Sequence, residues 1–203
     1  MKSFVYFFAI FTTFFSQQNF VFSNSDYNSK IQSPAKFLGY NIGDYYTQHH
    51  NVMAYMAYLA KQFPAETKFE KYGETNQKRD LNLLIISSKE NIARLGEIQK
   101  QNIDLASGKN VSSDFPAIVW LGYNVHGNET SSSEAAILAA YHFLAGNNNE
   151  HKATLENSVI IIDPMMNPDG RERYISWYKN RVGMAANADM NSVEHHEPWP
   201  GGR

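Results

Sequence analysis

In the stretch NVHGNETSSSEA, residues 124–135, a histidine and a glutamate stand three residues apart. A neutral imidazole and a carboxylate both bind divalent cations. Two histidines, a glutamate and an open water position make one familiar catalytic zinc set, so His126 and Glu129 could be two of its members. Between them Gly127 and Asn128 are small and turn-compatible, which lets the backbone fold until both side chains converge. The spacing alone is a weak signal. An ordinary strand-to-helix loop, with Glu129 favoured at the positive end of the next helix, explains it as well. The segment does not continue as His-Glu-x-x-His, which excludes the helix-borne zinc protease pattern for this pair.

A second cluster follows in IIIDPMMNPDGRERYISWYKNR, residues 160–181. Taken alone, Asn167-Pro168-Asp169-Gly170 is a strong turn former and reads as a tight exit from a strand.

These groups need elements to hold them. The stretch IGDYYTQHHNVMAYMAYLAKQFP has helical rhythm: Val52, Met56, Leu59 and Phe63 share a side, Asp44 offers an N-cap and Pro64 a stop. Two strand-like runs, 67–72 and 81–87, flank the polar connection GETNQKRD. A helix is expected over 88–109, with Ile92, Leu95 and Ile98 inward and Gly108 near its end. Residues 117–121 form a continuous apolar run, the mark of a strand buried on both faces, and SVIIIDP repeats that signature. Between them SSSEAAILAAYHFLAG reads as a helix with a serine cap, closing at Gly146. Strands alternating with helices predict an α/β sheet with helices on both faces. His126 then lies just past the carboxyl end of one buried strand and Asn167 past the end of the next. That edge is where ligand crevices form.

The chain has 203 residues, enough for one domain with a sizeable core, and its formal net charge is −2 with no basic block. Nucleic acid and anionic membrane surfaces are therefore not expected partners. The start, MKSFVYFFAIFTTFFSQQNFVFSNS, has a lysine, a compact apolar core and then small and polar residues. It reads as a signal peptide over residues 1–23, giving a secreted or periplasmic protein. The apolar run is too short for a membrane span. Residues 25–38 are polar and patternless, and 24–39 is expected to be a linker. Cysteine is absent, so there are no disulfides and no lipid-modified cysteine.

Taken together, HGNE after one strand and DPMMNPDGRERY…WYKNR after the next resemble the zinc carboxypeptidases related to carboxypeptidase A. YGETNQKRDLNLLIISS resembles that family's early strand pair, and the similarity runs from about residue 40 to 203. The resemblance implies a mixed, mostly parallel sheet and metal-assisted hydrolysis of a peptide or protein substrate. It implies Zn2+ bound by His126 and Glu129, with bound water made nucleophilic near neutral pH. A third histidine ligand, a general-base glutamate and a carboxylate-gripping Asn-Arg pair come later in such chains. They are expected beyond Arg203, making residues 40–203 the N-terminal part of a catalytic domain.

The sequence departs from the family in three places. Trp177-Tyr178-Lys179 puts a tyrosine where an oxyanion-stabilising arginine belongs, leaving Arg173 and Arg181 as alternatives. Asn128 stands where an arginine is frequent, and Asn128, Asn167 and Asp169 are the candidate substrate contacts. His195 and His196 read as polar loop residues beside Glu194 and Glu197 rather than as the missing ligand. Two rival functions stay open: an amidohydrolase similar to succinylglutamate desuccinylase and aspartoacylase, and a non-catalytic binding module.

Overall fold

The computed structural model describes residues 26–112, 115–185 and 187–198. The expected signal peptide, residues 1–23, lies outside them. The described elements are α1 (Pro34–Leu38), α2 (His49–Gln62), β1 (Thr67–Glu74), β2 (Asp80–Ile86), α3 (Lys89–Ala93), α4 (Leu95–Ala106), β3 (Ala117–Gly122), α5 (Ser132–Ala145), α6 (Asn149–Asn157), β4 (Ser158–Asp163) and α7 (Pro168–Lys179).

The strands form one mixed sheet in the order β1-β2-β4-β3. Residues 75–79 join β1 to β2 as a hairpin, which forces antiparallel pairing, and β2 also runs antiparallel to β4. Parallel pairing needs a crossover, and only the α5–α6 connection supplies one, between β3 and β4. The sheet is thus mixed as expected, but parallel pairing does not predominate among the described strands.

One face carries Leu84, Ile86, Ile160 and Ile162 into a core with Val52, Tyr55, Met56 and Leu59 of α2 and Ala136, Ile137, Ala140 and Leu144 of α5. The α2 residues fall at i, i+3, i+4 and i+7, a stripe along one side of the helix. On the opposite face Ile98 of α4 is buried against the sheet. Ile85, Val159, Ile161 and Ile118 line a concave apolar surface beside it.

Several expectations give way. Asp44 does not cap α2; it accepts from the backbone and side-chain nitrogens of Asn41 within a turn. The helix begins at His49, whose N–H donates to the Glu172 carboxylate of α7 at 2.6 Å. A carboxylate from a distant helix satisfies an orphan donor there, a cap that local sequence cannot reveal.

The helix expected over 88–109 is broken at Arg94 into α3 and α4. The Asn91 side chain pins α3 by donating to Leu155 and Glu156 carbonyls. Strand β4 is buried as expected, whereas β3 is not: Val119 is 40% and Trp120 58% exposed. An apolar run predicts a strand but not how many neighbours it has, and β3 pairs on one side only among the described residues.

The linker expectation also fails from Asp26 onward. Tyr27 bridges to Gly146, its hydroxyl meets His142 Nδ1 at 2.8 Å, and Ile31 joins the core. Single aromatic anchors hold this segment, and they have no periodicity to detect. No described helix is long and apolar enough to cross a membrane.

Candidate metal centre

Strands β3 and β4 end side by side, Gly122 opposite Asp163. Their extensions remain stitched together past the sheet. Tyr123 N donates to Asp163 O at 2.9 Å, Met166 N to Tyr123 O at 3.0 Å, and Asn167 N to Asn124 O at 3.0 Å. The two motif loops therefore share the carboxyl edge of the parallel pair.

Within the first loop Glu129 N donates to His126 O at 3.0 Å, closing a turn that turns both side chains the same way. His126 Nδ1 lies 2.8 Å from Glu129 Oε1, and the side chains are 47% and 52% exposed. The structure brings together the two residues singled out by spacing.

The pair can be tested against zinc geometry. Tetrahedral bonds of roughly 2.0–2.2 Å hold two donor atoms roughly 3.3 Å apart. Opening the observed contact by about half an ångström meets that requirement, and both side chains have the solvent exposure to move that far. Imidazole nitrogen and carboxylate oxygen are also the donor types zinc takes, so the residues fit the ion. Among the described residues no group of three or more His, Cys, Asp or Glu is gathered around a common point.

Several of the remaining candidates have definite partners. Asn128 Nδ2 donates to Glu197 Oε2 at 3.1 Å, which ties the pair's turn to the C-terminal loop. Asn167 is the N-cap of α7: its Oδ1 accepts from Gly170 N at 2.9 Å, with Pro168 in the first turn. The Asn-Pro-Asp-Gly motif is thus a helix start as well as a strand exit.

Asp169 faces the β1–β2 hairpin, accepting from Thr75 Oγ1 at 2.8 Å, Gln77 N at 3.2 Å and Arg79 Nη1 at 2.6 Å. Burial would raise its pKa, but these hydrogen bonds and the Arg79 charge outweigh it and hold the carboxyl below its usual value. Its partners make Asp169 a brace for the hairpin. Arg173 and Arg181 are exposed, the first on α7 and the second just past it. His195 Nε2 meets Asn187 O at 2.6 Å, and His196 is exposed.

Sequence reasoning missed three features. Arg171 is wholly buried and pairs with Glu134, Nη2 reaching both carboxylate oxygens at 2.7 and 2.8 Å. Arg171 Nη1 also donates to Thr130 O at 2.9 Å, directly after Glu129. The run RER looks like a solvated helix face, and nothing local marks its first arginine as buried.

Asn124, at φ +55°, anchors the His126–Glu129 turn through its side chain. Nothing in the sequence marks that conformation, although asparagine is among the residues that tolerate it.

Asp163 is buried at the end of β4, accepting from Tyr72 Oη at 2.8 Å while its other oxygen has no hydrogen-bond partner. Burial pushes its carboxyl above the usual range, against the hydrogen bonds from Tyr72 and the Met165 backbone.

No curated protein sequence matches the chain. Similar solved structures include carboxypeptidase A from Helicoverpa armigera, at 22% identity and TM-score 0.49, covering 71% of this chain and 29% of that one. A metallo-carboxypeptidase from Burkholderia cenocepacia is similar at 16% identity and TM-score 0.45, covering 64% and 29%. Bovine thrombin-activatable fibrinolysis inhibitor, in complex with tick carboxypeptidase inhibitor, is similar at 15% identity and TM-score 0.44, covering 71% and 39%. The chain thus spans well under half the length of each. The zinc carboxypeptidase family profile matches residues 52–200, from α2 through both motif loops to the C-terminal loop. On that match, the chain belongs to the zinc carboxypeptidase family.

Proposed function

We propose that the chain serves a zinc-dependent carboxypeptidase that hydrolyses peptide bonds of a peptide or protein substrate, exported by its N-terminal signal to a secreted or periplasmic location. The observation that carries this reading is the convergence of His126 and Glu129 at the carboxyl edge of β3 and β4, in a chain of this family.

His126 and Glu129 would hold the ion. When bound, zinc supplies Lewis-acid polarisation of a carbonyl and lowers the pKa of water toward neutrality. The proposal requires one more protein ligand and a general base to complete the set.

The chain's own residues contribute position and charge. The turn from His126 to Glu129 presents both donors at an exposed rim, where an extended peptide can approach. Asn128 and Asn167 flank that rim as candidate substrate contacts, each already oriented by a hydrogen bond. Arg173 and Arg181 are the candidate cations for a developing oxyanion, a role that needs a donor about 3 Å from the charge.

The test is an assay of the protein in its full natural length, zinc-loaded, with and without His126→Ala. Peptides with free and amidated C-termini are offered beside N-acyl-aspartate and N-acyl-glutamate. Release of C-terminal amino acids from free peptides, lost in the variant, supports the reading. Cleavage confined to the acyl-amino acids assigns the amidohydrolase function instead.

A further inference from the structure

We infer that Asn124 is the positioning residue that sets the His126–Glu129 turn and locks it to the Asn167 loop. This rests on the metal reading above and extends it to a residue outside both motifs.

The first observation is conformational. Asn124 sits at φ +55°, in the left-handed region, where a side chain costs stability and asparagine is among the few residues tolerated. Glycine would take that backbone shape at less cost, so the side chain must have another use.

The second observation supplies that use. Asn124 Nδ2 donates toward His126 O at 3.0 Å, Glu129 O at 3.3 Å and Gly127 O at 3.5 Å. Three carbonyls of one short turn point inward at a single amide. With two N–H bonds among three acceptors, the amide screens their mutual repulsion and fixes the turn's radius. Three carbonyls around one atom also identify that atom as nitrogen rather than oxygen.

Third, the Asn124 backbone is committed at both ends. Its N–H donates to Ser132 Oγ at 2.7 Å, the first residue of α5, and its carbonyl accepts from Asn167 N at 3.0 Å. One residue therefore joins strand exit, metal-pair turn, helix start and the second motif loop.

Fourth, Asn124 is 1% exposed and its Oδ1 has no hydrogen-bond partner. An unpaired buried acceptor is unfavourable. It is tolerated here because turning the amide over would place an oxygen against three others.

Outer groups that orient metal ligands typically matter by 10- to 100-fold in affinity. The experiment is Co2+ titration of the protein in its full natural length, followed by the visible absorption of the bound ion, for wild type, His126→Ala, Asn124→Gly and Ser132→Ala. Asn124→Gly tolerates the left-handed backbone and removes the whole side chain with its carboxamide. The expected result is Co2+ binding in wild type, loss in His126→Ala, and roughly 10- to 100-fold weaker binding with altered absorption in Asn124→Gly. Hydrogen exchange of the Glu129 amide should also quicken in Asn124→Gly while the Ile162 amide is unchanged.

Asn124→Gly binding within twofold of wild type, with the same spectrum, overturns the inference and leaves the metal reading standing. Equal binding by wild type and His126→Ala overturns both. Should Asn124→Gly lose its cooperative melt, Ser132→Ala decides: weaker Co2+ binding with a normal melt supports the inference, and unchanged binding overturns it.

Discussion

Removing the Glu134 carboxylate should be among the most damaging single changes this chain can suffer. The reason lies in what would be left behind. Arg171 has no solvent exposure, and its Nη2 loses both charge-assisted bonds when Glu134 becomes alanine. Thr47 N–H, 2.7 Å from Glu134 Oε1, loses its acceptor as well. What remains for the guanidinium is Thr130 O at 2.9 Å, a long contact to Thr47 O and the Tyr46 ring 5.6 Å away. None of these neutralises a charge.

Breaking a buried pair from one side typically costs 3–5 kcal/mol, against a total domain stability of about 5–15 kcal/mol. For a chain of this size each kcal/mol moves the melting temperature by roughly 2–4 °C, so Glu134→Ala should lower it by roughly 6–20 °C. Denaturant titration of Glu134→Ala, Arg171→Met and the double variant measures the coupling directly. The double variant should cost less than the sum of the two singles, because no charge is then stranded. A Glu134→Ala cost under about 1 kcal/mol, or strictly additive variants, would refute this reasoning.

Other expected outcomes follow from single contacts. Burial, and then the neighbouring His151, lower the His142 pKa against the opposing pull of Glu150. A depressed histidine favours the neutral form on folding, so its contribution is complete above the ordinary value near 6.5 and is lost as pH falls from there toward the folded value. Melts from pH 7.5 to 5 should fall less steeply for His142→Gln, and identical slopes would contradict the assignment. A methyl group at Gly146 would come within 2.1 to 2.5 Å of three His151 ring atoms, and that ring is held by Asn148 Oδ1 at 2.6 Å. Gly146→Ala should therefore cost about 1–3 kcal/mol in denaturant titration, with part regained in Gly146→Ala/His151→Ala. Asp169→Ala releases Thr75, Gln77 and Arg79 together, and a loss of about 1–3 kcal/mol is expected. A hairpin as resistant to proteolysis as wild type would count against the brace.

Much of the architecture could be read from pattern because pattern is what burial produces. The stripe Val52, Met56, Leu59 and the run 158–163 announce a packed helix and a central strand. The turn signals around His126 and Asn167 likewise announce loops, and buried parallel strands put loops on one edge. What stayed hidden depends on partners distant in sequence. Glu172 caps α2 across more than a hundred residues, Arg171 finds Glu134 on another helix, and Tyr27 docks on His142. Helix α6 carries little readable signal, because NEHKATLEN is polar and its helical start rests on one Asn148 cap. The burial on both faces expected for β3 fails for the same reason, since apolar content reports propensity and not neighbours. For the candidate site, residue types, spacing and the family resemblance point to His126 and Glu129, whereas Asn124 and Glu197 meet that turn through geometry that exists only after folding.

The central claim is that His126 and Glu129 grip one divalent cation. The direct measurement is zinc content per molecule of the protein in its full natural length, after dialysis against trace zinc, for wild type, His126→Ala and Glu129→Ala. Bound zinc near one per molecule in wild type, lost in both variants, is the predicted result. Equal zinc in all three proteins would contradict the account.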